Sequence, residues 1–325
     1  YVCNHDSPNQ LFINDGNADF AEQAAASGVA TNDASHTPAF CDYDGDGDLD
    51  LFLLTNRYYH PDGKLPADAP VLDVQPGNVK IKSEFEKYVR ITKVIPGAQP
   101  GTKQFVWEDA GRPDYLFQND GNGKFTDVTR KAGIDSFGFG LSATWWDYNN
   151  DSHPDLYIGN DFDDPDYFYR NNGDGTFTNI IKNSVPHTTW FSMGADFGDL
   201  DGDGLNDFLI ADMSGTNHYK QKTAMGAMSD KVEFLSTAEP RQYMRNALYM
   251  NTGTDRFREA AYIAGLGDTD WTWTVKLADF DNDMRLDVFF TNGMSKNFNE
   301  SDSKLALDMR IGETQWDRHV RAGTK

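Results

Sequence analysis

Two short motifs recur along this chain of 325 residues at a fixed distance from each other. One reads Asn-x-Gly-x-x-x-Phe, at residues 14–20, 119–125, 171–177 and 251–257; the other is acidic, at residues 42–50, 147–155, 199–207 and 279–287. In every copy 28 residues separate the Asn of the first motif from the first Asp of the second. The motifs therefore belong to one structural repeat, and a chain built from one repeated unit can adopt few folds.

Each repeat has the pattern of four short strands. Apolar segments precede the acidic stretch, and runs such as LDLFLL and NDFLIAD follow it, as in buried β-strands. The Asn-Gly motif supplies the positive φ angles of a hairpin turn. The unit is therefore strand A, acidic loop, strand B, variable connection, strand C, turn, strand D. Such units in series predict an all-β fold, a β-propeller of four-stranded antiparallel blades. A parallel β-helix is the alternative, but it favours shorter and stricter repeats.

The acidic loops crowd carboxylates that repel one another unless a cation lies between them. The pattern Asp-x-Asp-x-Asp-Gly-x-x-Asp offers side-chain oxygens at positions 1, 3, 5 and 9 and a backbone carbonyl at position 7, as Ca²⁺ requires. We expect up to four Ca²⁺ ions; Mg²⁺ is less favoured because it retains waters, and a bare solvated turn is the alternative. The expected ligands are Asp42, Asp44, Asp46, Asp48 and Asp50 (loop 1), Asp147, Asn149, Asp151, His153 and Asp155 (loop 2), Asp199, Asp201, Asp203, Leu205 and Asp207 (loop 3), and Asp279, Asp281, Asp283, Arg285 and Asp287 (loop 4), with Asp48, His153, Leu205 and Arg285 binding through their carbonyls.

The loops differ at position 6, where the sharp turn needs a positive φ angle. Gly47 and Gly204 adopt it freely, whereas Ser152 and Met284 adopt it at a cost of about 1–2 kcal/mol. Loop 2 also carries Asn149 in place of an aspartate. We therefore expect tight binding in loops 1 and 3, weaker binding in loop 2, and either the weakest binding or a distorted site in loop 4.

Variation in repeat length falls between strands B and C. From the last Asp of a loop to the next hairpin Asn there are 16, 44 or 69 residues. We expect one propeller region over 1–325, with insertions at 56–113 and 212–246 and a tail at 292–325. Since strand B runs away from the acidic loop, the insertions emerge on the opposite face. Such loops either bind partners or cover the rim of the propeller.

Charge and motif content limit the possible functions. The formal charge of −22 argues against nucleic acid as a partner, and no apolar run reaches the 18 residues of a membrane span. No catalytic motif is present, so we predict no enzyme; His187 and His218 are the candidate acid–base residues of a lyase-like alternative. Cys3 and Cys41 can form a disulfide or remain free thiols.

These segments also carry a family resemblance. The repeats resemble FG-GAP/VCBS repeats, the blade type of integrin α-subunit propellers. Stretches such as LFQNDGNGKFTDVTRKAGI and DTDWTWTVKLADFDND resemble the cartilage acidic protein family with its ASPIC/UnbV relatives in bacteria, especially planctomycete-type members. The resemblance implies a secreted or cell-envelope calcium-binding propeller, usually seven-bladed, in a longer polypeptide, without a well-established catalytic activity.

We therefore expect about four blade-equivalents, with further blades of the same polypeptide beyond them. The alternative is a small closed ring, in which the first and last segments complete one blade. The predicted function is a calcium-stabilised interaction or adhesion module that binds protein or extracellular matrix through the face opposite the acidic loops. The alternatives are a carbohydrate-binding propeller and a polysaccharide-degrading enzyme.

Overall fold

The computed structural model describes residues 1–63, 65–66, 69–75, 78–96, 103–162, 164–223 and 239–293. These residues are nearly all β, and strands A to D of each complete blade are hydrogen-bonded antiparallel neighbours in chain order, which confirms the predicted all-β blade architecture. Residues 224–238 of the second insertion and 294–325 of the tail lie outside the described residues. In the part of the chain that is described, no helix is long and apolar enough to cross a membrane.

The first segment of the chain supplies part of a blade. Its elements are β1 (His5–Pro8), β2 (Phe12–Asn14), β3 (Phe20–Glu22) and helix α1 (Ala24–Ser27). β2 and β3 pair as strands C and D, and Val2 bridges to Gln10 where the end of strand B is expected. β1 instead pairs with residues 32–34 of the next blade, so it joins two blades.

Blade 1 contains the first insertion between its strands B and C. In chain order its elements are β4 (Asn32–Cys41), β5 (Asp50–Thr55), β6 (Leu72–Gln75), β7 (Asn78–Ile81), β8 (Val89–Pro96), β9 (Lys103–Asp109), β10 (Arg112–Pro113), β11 (Tyr115–Asn119) and β12 (Phe125–Asp127). β4, β5, β11 and β12 form the blade, while β6–β7 and β8–β9 are separate antiparallel hairpins of the insertion.

Two more complete blades and a half-blade follow. Blade 2 consists of β14 (Gly140–Trp146), β15 (Asp155–Asn160), β16 (Tyr167–Asn171) and β17 (Phe177–Asn179), preceded by β13 (Phe137–Gly138) and followed by α2 (Ile181–Ser184) and β18 (His187–Thr189). Blade 3 consists of β19 (Gly194–Gly198), β20 (Asp207–Ala211), β23 (Ala247–Met250) and β24 (Arg258–Glu259), with β21 (Met213–Ser214), α3 (His218–Thr223) and β22 (Arg241–Tyr243) between β20 and β23. The half-blade consists of β25 (Asp270–Ala278) and β26 (Asp287–Asn292).

The hydrophobic core lies between neighbouring blades. In β5, Leu51 and Leu53 pack toward the first segment, whereas Phe52 and Leu54 pack toward blade 2. β15 and β20 alternate in the same way between their two neighbours. Strand B is thus buried on both faces in all three complete blades. This burial explains why the residues after each acidic loop are uninterruptedly apolar.

Strand A of each blade packs beside strand A of the next, so β4, β14, β19 and β25 lie side by side. Trp145 Nε1 donates to the Ala39 carbonyl across one of these contacts, at 3.3 Å. The acidic loops lie at one end of these strands and the insertions at the other, as the direction of the strands requires.

Ion pairs tie the first insertion to the blades. Arg90 of the insertion pairs with Asp164 of blade 2, whose side chain is only 5% exposed. Arg112 donates to Asp33 of β4 at 2.7 and 3.1 Å. The described part of this insertion is therefore fastened across the end of two blades.

Candidate metal centres and the opposite face

The first aspartate of each acidic loop folds the loop around itself. In loop 1, Asp42 accepts hydrogen bonds from the backbone N–H groups of Gly45, Asp46 and Gly47, at 2.9–3.1 Å. Asp199 repeats all three bonds in loop 3. Asp147 and Asp279 accept from positions 5 and 6 of their loops. Short polar side chains that accept from nearby backbone stabilise such turns, so the loops are preformed.

The last aspartate connects the loop to the hairpin of its own blade. Asp50 Oδ1 accepts the Asn119 N–H at 2.8 Å, and its Oδ2 accepts the Tyr43 N–H at 3.3 Å. The same two bonds are made by Asp155 in loop 2 and Asp207 in loop 3. All three carboxylates are buried. This bond to the hairpin joins residues 69, 16 and 44 positions apart in blades 1, 2 and 3, so it is a hydrogen-bonded latch within each blade, a role that the sequence analysis did not assign to these residues.

Three of the four loops gather three carboxylates with oxygens within 4.8 Å of one another. These groups are Asp42, Asp44 and Asp50 in loop 1, Asp199, Asp201 and Asp203 in loop 3, and Asp279, Asp281 and Asp287 in loop 4. Of the other predicted carboxylate ligands, Asp46, Asp207 and Asp283 lie outside these groups. Loop 2 forms no such group among the described residues, and Asn149 there donates to Asp151 at 2.8 Å instead.

The donor set of loop 1 fits a hard divalent cation. Asp44 Oδ1 is buried and has no hydrogen-bond partner among the described residues, while Gln118 holds its Oδ2 at 2.6 Å. Burial, with smaller contributions from the charges of Asp44 and Asp46, raises the pKa of Asp50 to about 6. Burial likewise raises the pKa of Asp155 to about 7. A cation among these oxygens would offset both burial and charge repulsion.

Position 6 has the left-handed backbone that the sequence predicts in all four loops. Its φ angles are 95° at Gly47, 70° at Ser152, 87° at Gly204 and 68° at Met284. Position 4 shares this conformation, which was not predicted, at Gly45, Asn150, Gly202 and Asn282. Asn is the residue other than glycine that tolerates this conformation best. The presence of Gly or Asn at position 4 of every loop could therefore have predicted the positive φ angle there.

Met284→Gly should raise the cation affinity of loop 4 by about tenfold, because it removes a strain of about 1–2 kcal/mol at position 6. Calorimetric titration of the metal-free variant with CaCl₂ measures the change. Arg285 gives a second reason for weak binding, since it pairs with Asp283 at 3.0 Å. Arg285→Gln should therefore also tighten loop 4. Unchanged affinities in both variants would show that neither residue limits binding.

A second latch lies at the other end of strands B and C. The residue five positions before each hairpin Asn is Asp or Asn and is buried: Asn9, Asp114, Asp166 and Asn246. Its side-chain Oδ1 accepts a backbone N–H at the end of strand B: Asn4 at 2.7 Å, Thr55 at 2.8 Å, Asn160 at 2.9 Å and Asp212 at 2.7 Å. This motif escaped the sequence analysis, although its constant five-residue spacing could have revealed it.

Asp114→Asn should flatten the pH dependence of stability. Burial raises the pKa of Asp114 to about 7 from an ordinary 3.8, so the folded chain holds this proton and its stability falls as the pH rises from about 4 to 7. The variant cannot ionise and resembles Asn246. Its free energy of unfolding relative to the parent should rise by up to about 1.4 kcal/mol per pH unit in that window. Urea denaturation at pH 5, 6, 7 and 8 tests this, and parallel curves would contradict it.

The face opposite the loops holds the predicted acid–base candidates. His187 is buried, and its Nε2 accepts from Arg245 Nη2 at 2.8 Å, since arginine can only donate. Burial, reinforced by the charge of Arg245, lowers the pKa of His187. His218 lies in α3, and no hydrogen bond or ring contact between described residues joins it to His187. The structure therefore does not assemble the two histidines into one site.

The aromatic residues that precede strand A of blades 2 and 3 are packed inside the protein. Phe139 and Phe191 are buried, and Trp190 stacks on Phe191 with ring centroids 5.5 Å apart. Trp273, in contrast, is 50% exposed.

Cys3 and Cys41 are free thiols, which settles the question that the sequence left open.

Comparisons with known proteins agree with the repeat. The model of a family described as FG-GAP-like repeat matches residues 1–53, 101–158, 147–210 and 231–290. Cartilage acidic protein 1 of Mus musculus is 28% identical over 145 residues, and that of Homo sapiens 27% over 149, covering 42% and 43% of this chain. The matched region spans 22% of each relative. A structure described for specific recognition of non-reducing terminal N-acetylglucosamine by an Agrocybe aegerita lectin aligns over 88% of this chain and 69% of its own, with 12% identity and a TM-score of 0.31, too low to support an argument.

Proposed function

Because the chain belongs to the FG-GAP-like repeat family, we propose that it is a calcium-stabilised extracellular interaction module. It binds protein or extracellular matrix through the face opposite the acidic loops. The family and the relatives point to an extracellular location, in the medium or the cell envelope. Calcium has a scaffold role here, since the loops that would hold it lie at the ends of strands A and B, away from the insertions.

The observation that carries this proposal is the difference between the two faces. The acidic-loop face repeats the same short loops and hairpin turns in every blade. The opposite face carries insertions whose lengths differ by dozens of residues, held on blades that change little. Variable loops on a rigid scaffold are the usual place of partner recognition.

Charge and exposure on the insertion face suit a protein or matrix partner. The insertions carry 14 Lys/Arg and 11 Asp/Glu, a net +3, so the remaining chain carries −25 within the total of −22. Tyr59 in the first insertion is 64% exposed, and Tyr262 after strand D of blade 3 is 62% exposed. The Arg245 guanidinium lies 4.4 Å from the Tyr262 ring centre. Exposed tyrosines beside arginines are enriched in protein interfaces.

A capture experiment with matched variants tests this assignment. The immobilised chain is exposed to the extracellular fraction of its source in calcium buffer, and bound proteins are identified by mass spectrometry. Tyr59→Ala and Tyr262→Ala should each reduce capture of a specific partner at least about tenfold. Leu49→Ala removes a side chain of similar exposure, 58%, from the acidic-loop face and should leave capture unchanged. Loss of capture only in Leu49→Ala would place the partner on the acidic-loop face and contradict the proposal. Binding to a glycan array without capture of any protein would favour the carbohydrate alternative.

A further inference from the structure

The dipeptide Asn-Gly occurs three times in this chain, at residues 122–123, 172–173 and 292–293. In such a step the backbone nitrogen of the glycine can attack the side-chain amide of the asparagine, because glycine has no side chain to hinder the approach. The reaction needs a backbone N–H that is not held by an acceptor and an asparagine side chain that is free to turn toward it. All three asparagines are exposed, so their hydrogen bonds distinguish them.

The step at 172–173, in the hairpin turn of blade 2, is held at both reacting groups. The Gly173 N–H donates to Asn171 Oδ1 at 3.0 Å. The Asn172 side chain donates to Thr176 Oγ1 at 3.0 Å and accepts from the Thr178 hydroxyl at 3.2 Å. Attack at this step therefore requires these bonds to open first.

The step at 292–293, at the end of β26, is held in the same way. The Gly293 N–H donates to the Trp271 carbonyl at 3.1 Å. The Asn292 side chain donates to the Thr269 carbonyl at 2.6 Å and accepts from the Thr272 hydroxyl at 2.8 Å. Its amide is thus fixed away from the backbone nitrogen that would attack it.

The step at 122–123, in the hairpin turn between β11 and β12, lacks this protection. The Asn122 Nδ2 donates to the Asp120 carbonyl at 3.2 Å, and its Oδ1 accepts no hydrogen bond from a described residue. The Gly123 N–H likewise donates to no acceptor in the described part of the chain. Both reacting groups are therefore available at this turn alone among the three steps.

We propose that Asn122 is a site of spontaneous deamidation in the folded chain. The Gly123 nitrogen attacks Asn122 Cγ and loses its proton, a C–N bond forms, and the side-chain nitrogen leaves as ammonia, which produces a succinimide. Water then opens the ring at either carbonyl and yields aspartate or isoaspartate at position 122. The reaction consumes only water, and it depends neither on the partner of the insertion face nor on calcium.

Either product changes the hairpin that lies against loop 1. A Cβ added at Gly121 would meet Asp48 Oδ2 at 2.5 Å, so this turn and the loop are in close contact. Both products add a negative charge there, and isoaspartate also lengthens the backbone of the turn by one bond. The added charge makes the modified chain separable from the parent by anion-exchange chromatography.

Peptide mapping by mass spectrometry tests this assignment. The 325-residue chain is incubated at pH 8 in calcium buffer, then digested at mildly acidic pH so that the reaction does not continue during digestion. In the folded chain Asn122 should deamidate at least about tenfold faster than Asn172 and Asn292, because their hydrogen bonds must break first. In urea, where the chain is unfolded, the three rates should converge.

Thr176→Val with Thr178→Val is the matched variant. It removes both side-chain hydrogen bonds of Asn172 and leaves the turn at 122–123 untouched, so deamidation should become faster at Asn172 and stay the same at Asn122. Circular dichroism verifies that the variant is folded. The proposal is overturned if Asn122 reacts no faster than the other two asparagines in the folded chain, if the difference persists in urea, or if the folded variant leaves the rate at Asn172 unchanged.

Discussion

Removing calcium with EGTA should lower the melting temperature of this chain by about 10 °C or more. A ligand that binds only the folded state stabilises it by RT ln(1 + [L]/Kd), about 4 kcal/mol for one site at a thousandfold excess. For a chain of this size each kcal/mol corresponds to about 2–4 °C. Several occupied loops would therefore dominate its thermal stability. Scanning calorimetry of the same preparation in calcium buffer and in EGTA buffer measures the difference between the two melting temperatures.

Magnesium provides the control for this result. Adding excess MgCl₂ to the EGTA-treated chain should restore little of the lost stability, because Mg²⁺ demands near-octahedral geometry and gives up its waters reluctantly. Restoration by CaCl₂ should be complete. A melting temperature unmoved by EGTA would mean that the acidic loops stay folded through their own hydrogen bonds alone.

Asp207→Ala should destabilise the chain by about 2–6 kcal/mol even without calcium. The substitution deprives two backbone N–H groups, those of Asn251 and Leu200, of their acceptor. Each buried donor left unsatisfied costs about 1–3 kcal/mol. Asp203→Ala in the same loop removes an exposed carboxylate and should cost less than about 1 kcal/mol in EGTA. Urea denaturation of both variants in EGTA measures the difference.

The same two variants distinguish the hydrogen-bonding role of Asp207 from the cation-binding role proposed for Asp203. In calcium buffer Asp203→Ala should lose stability, because Asp203 belongs to the carboxylate group of loop 3. Asp207→Ala should be destabilised in both buffers. Equal stabilities of the two variants in EGTA would show that the bonds of Asp207 to the hairpin do not hold the blade together.

The periodic features of this fold were predictable from the sequence. A constant spacing between the acidic loops and the hairpin turns predicted blades in the order A to D, and the structure shows that order in all three complete blades. The positive φ at position 6 was also predictable, since the geometry of a tight loop allows few alternatives. Local patterns of this kind depend on residues close together in the chain, where sequence rules are strongest.

Features that depend on contacts between distant residues were not predictable. The Arg90–Asp164 pair joins residues 74 positions apart, and nothing near either residue marks it. The burial of His187 follows from its packing against Tyr249 and Arg245, in a different part of the chain. The buried Asp or Asn before strand C repeats at a constant spacing, yet in blades 1 and 3 its partner at the end of strand B lies 59 and 34 positions away, across an insertion. Such pairs become visible only once the blades are assembled.

The most direct test of the calcium assignment is isothermal titration of the metal-free chain with CaCl₂. The loop sequences predict saturable binding of two to four ions in at least two affinity classes, with the tighter class lost in a variant that carries Asp44→Ala and Asp201→Ala. These aspartates belong to the carboxylate groups of loops 1 and 3, and both are replaceable without breaking the latches made by Asp50 and Asp207. No heat of binding, or an unchanged titration in that variant, would contradict the assignment of calcium to the acidic loops.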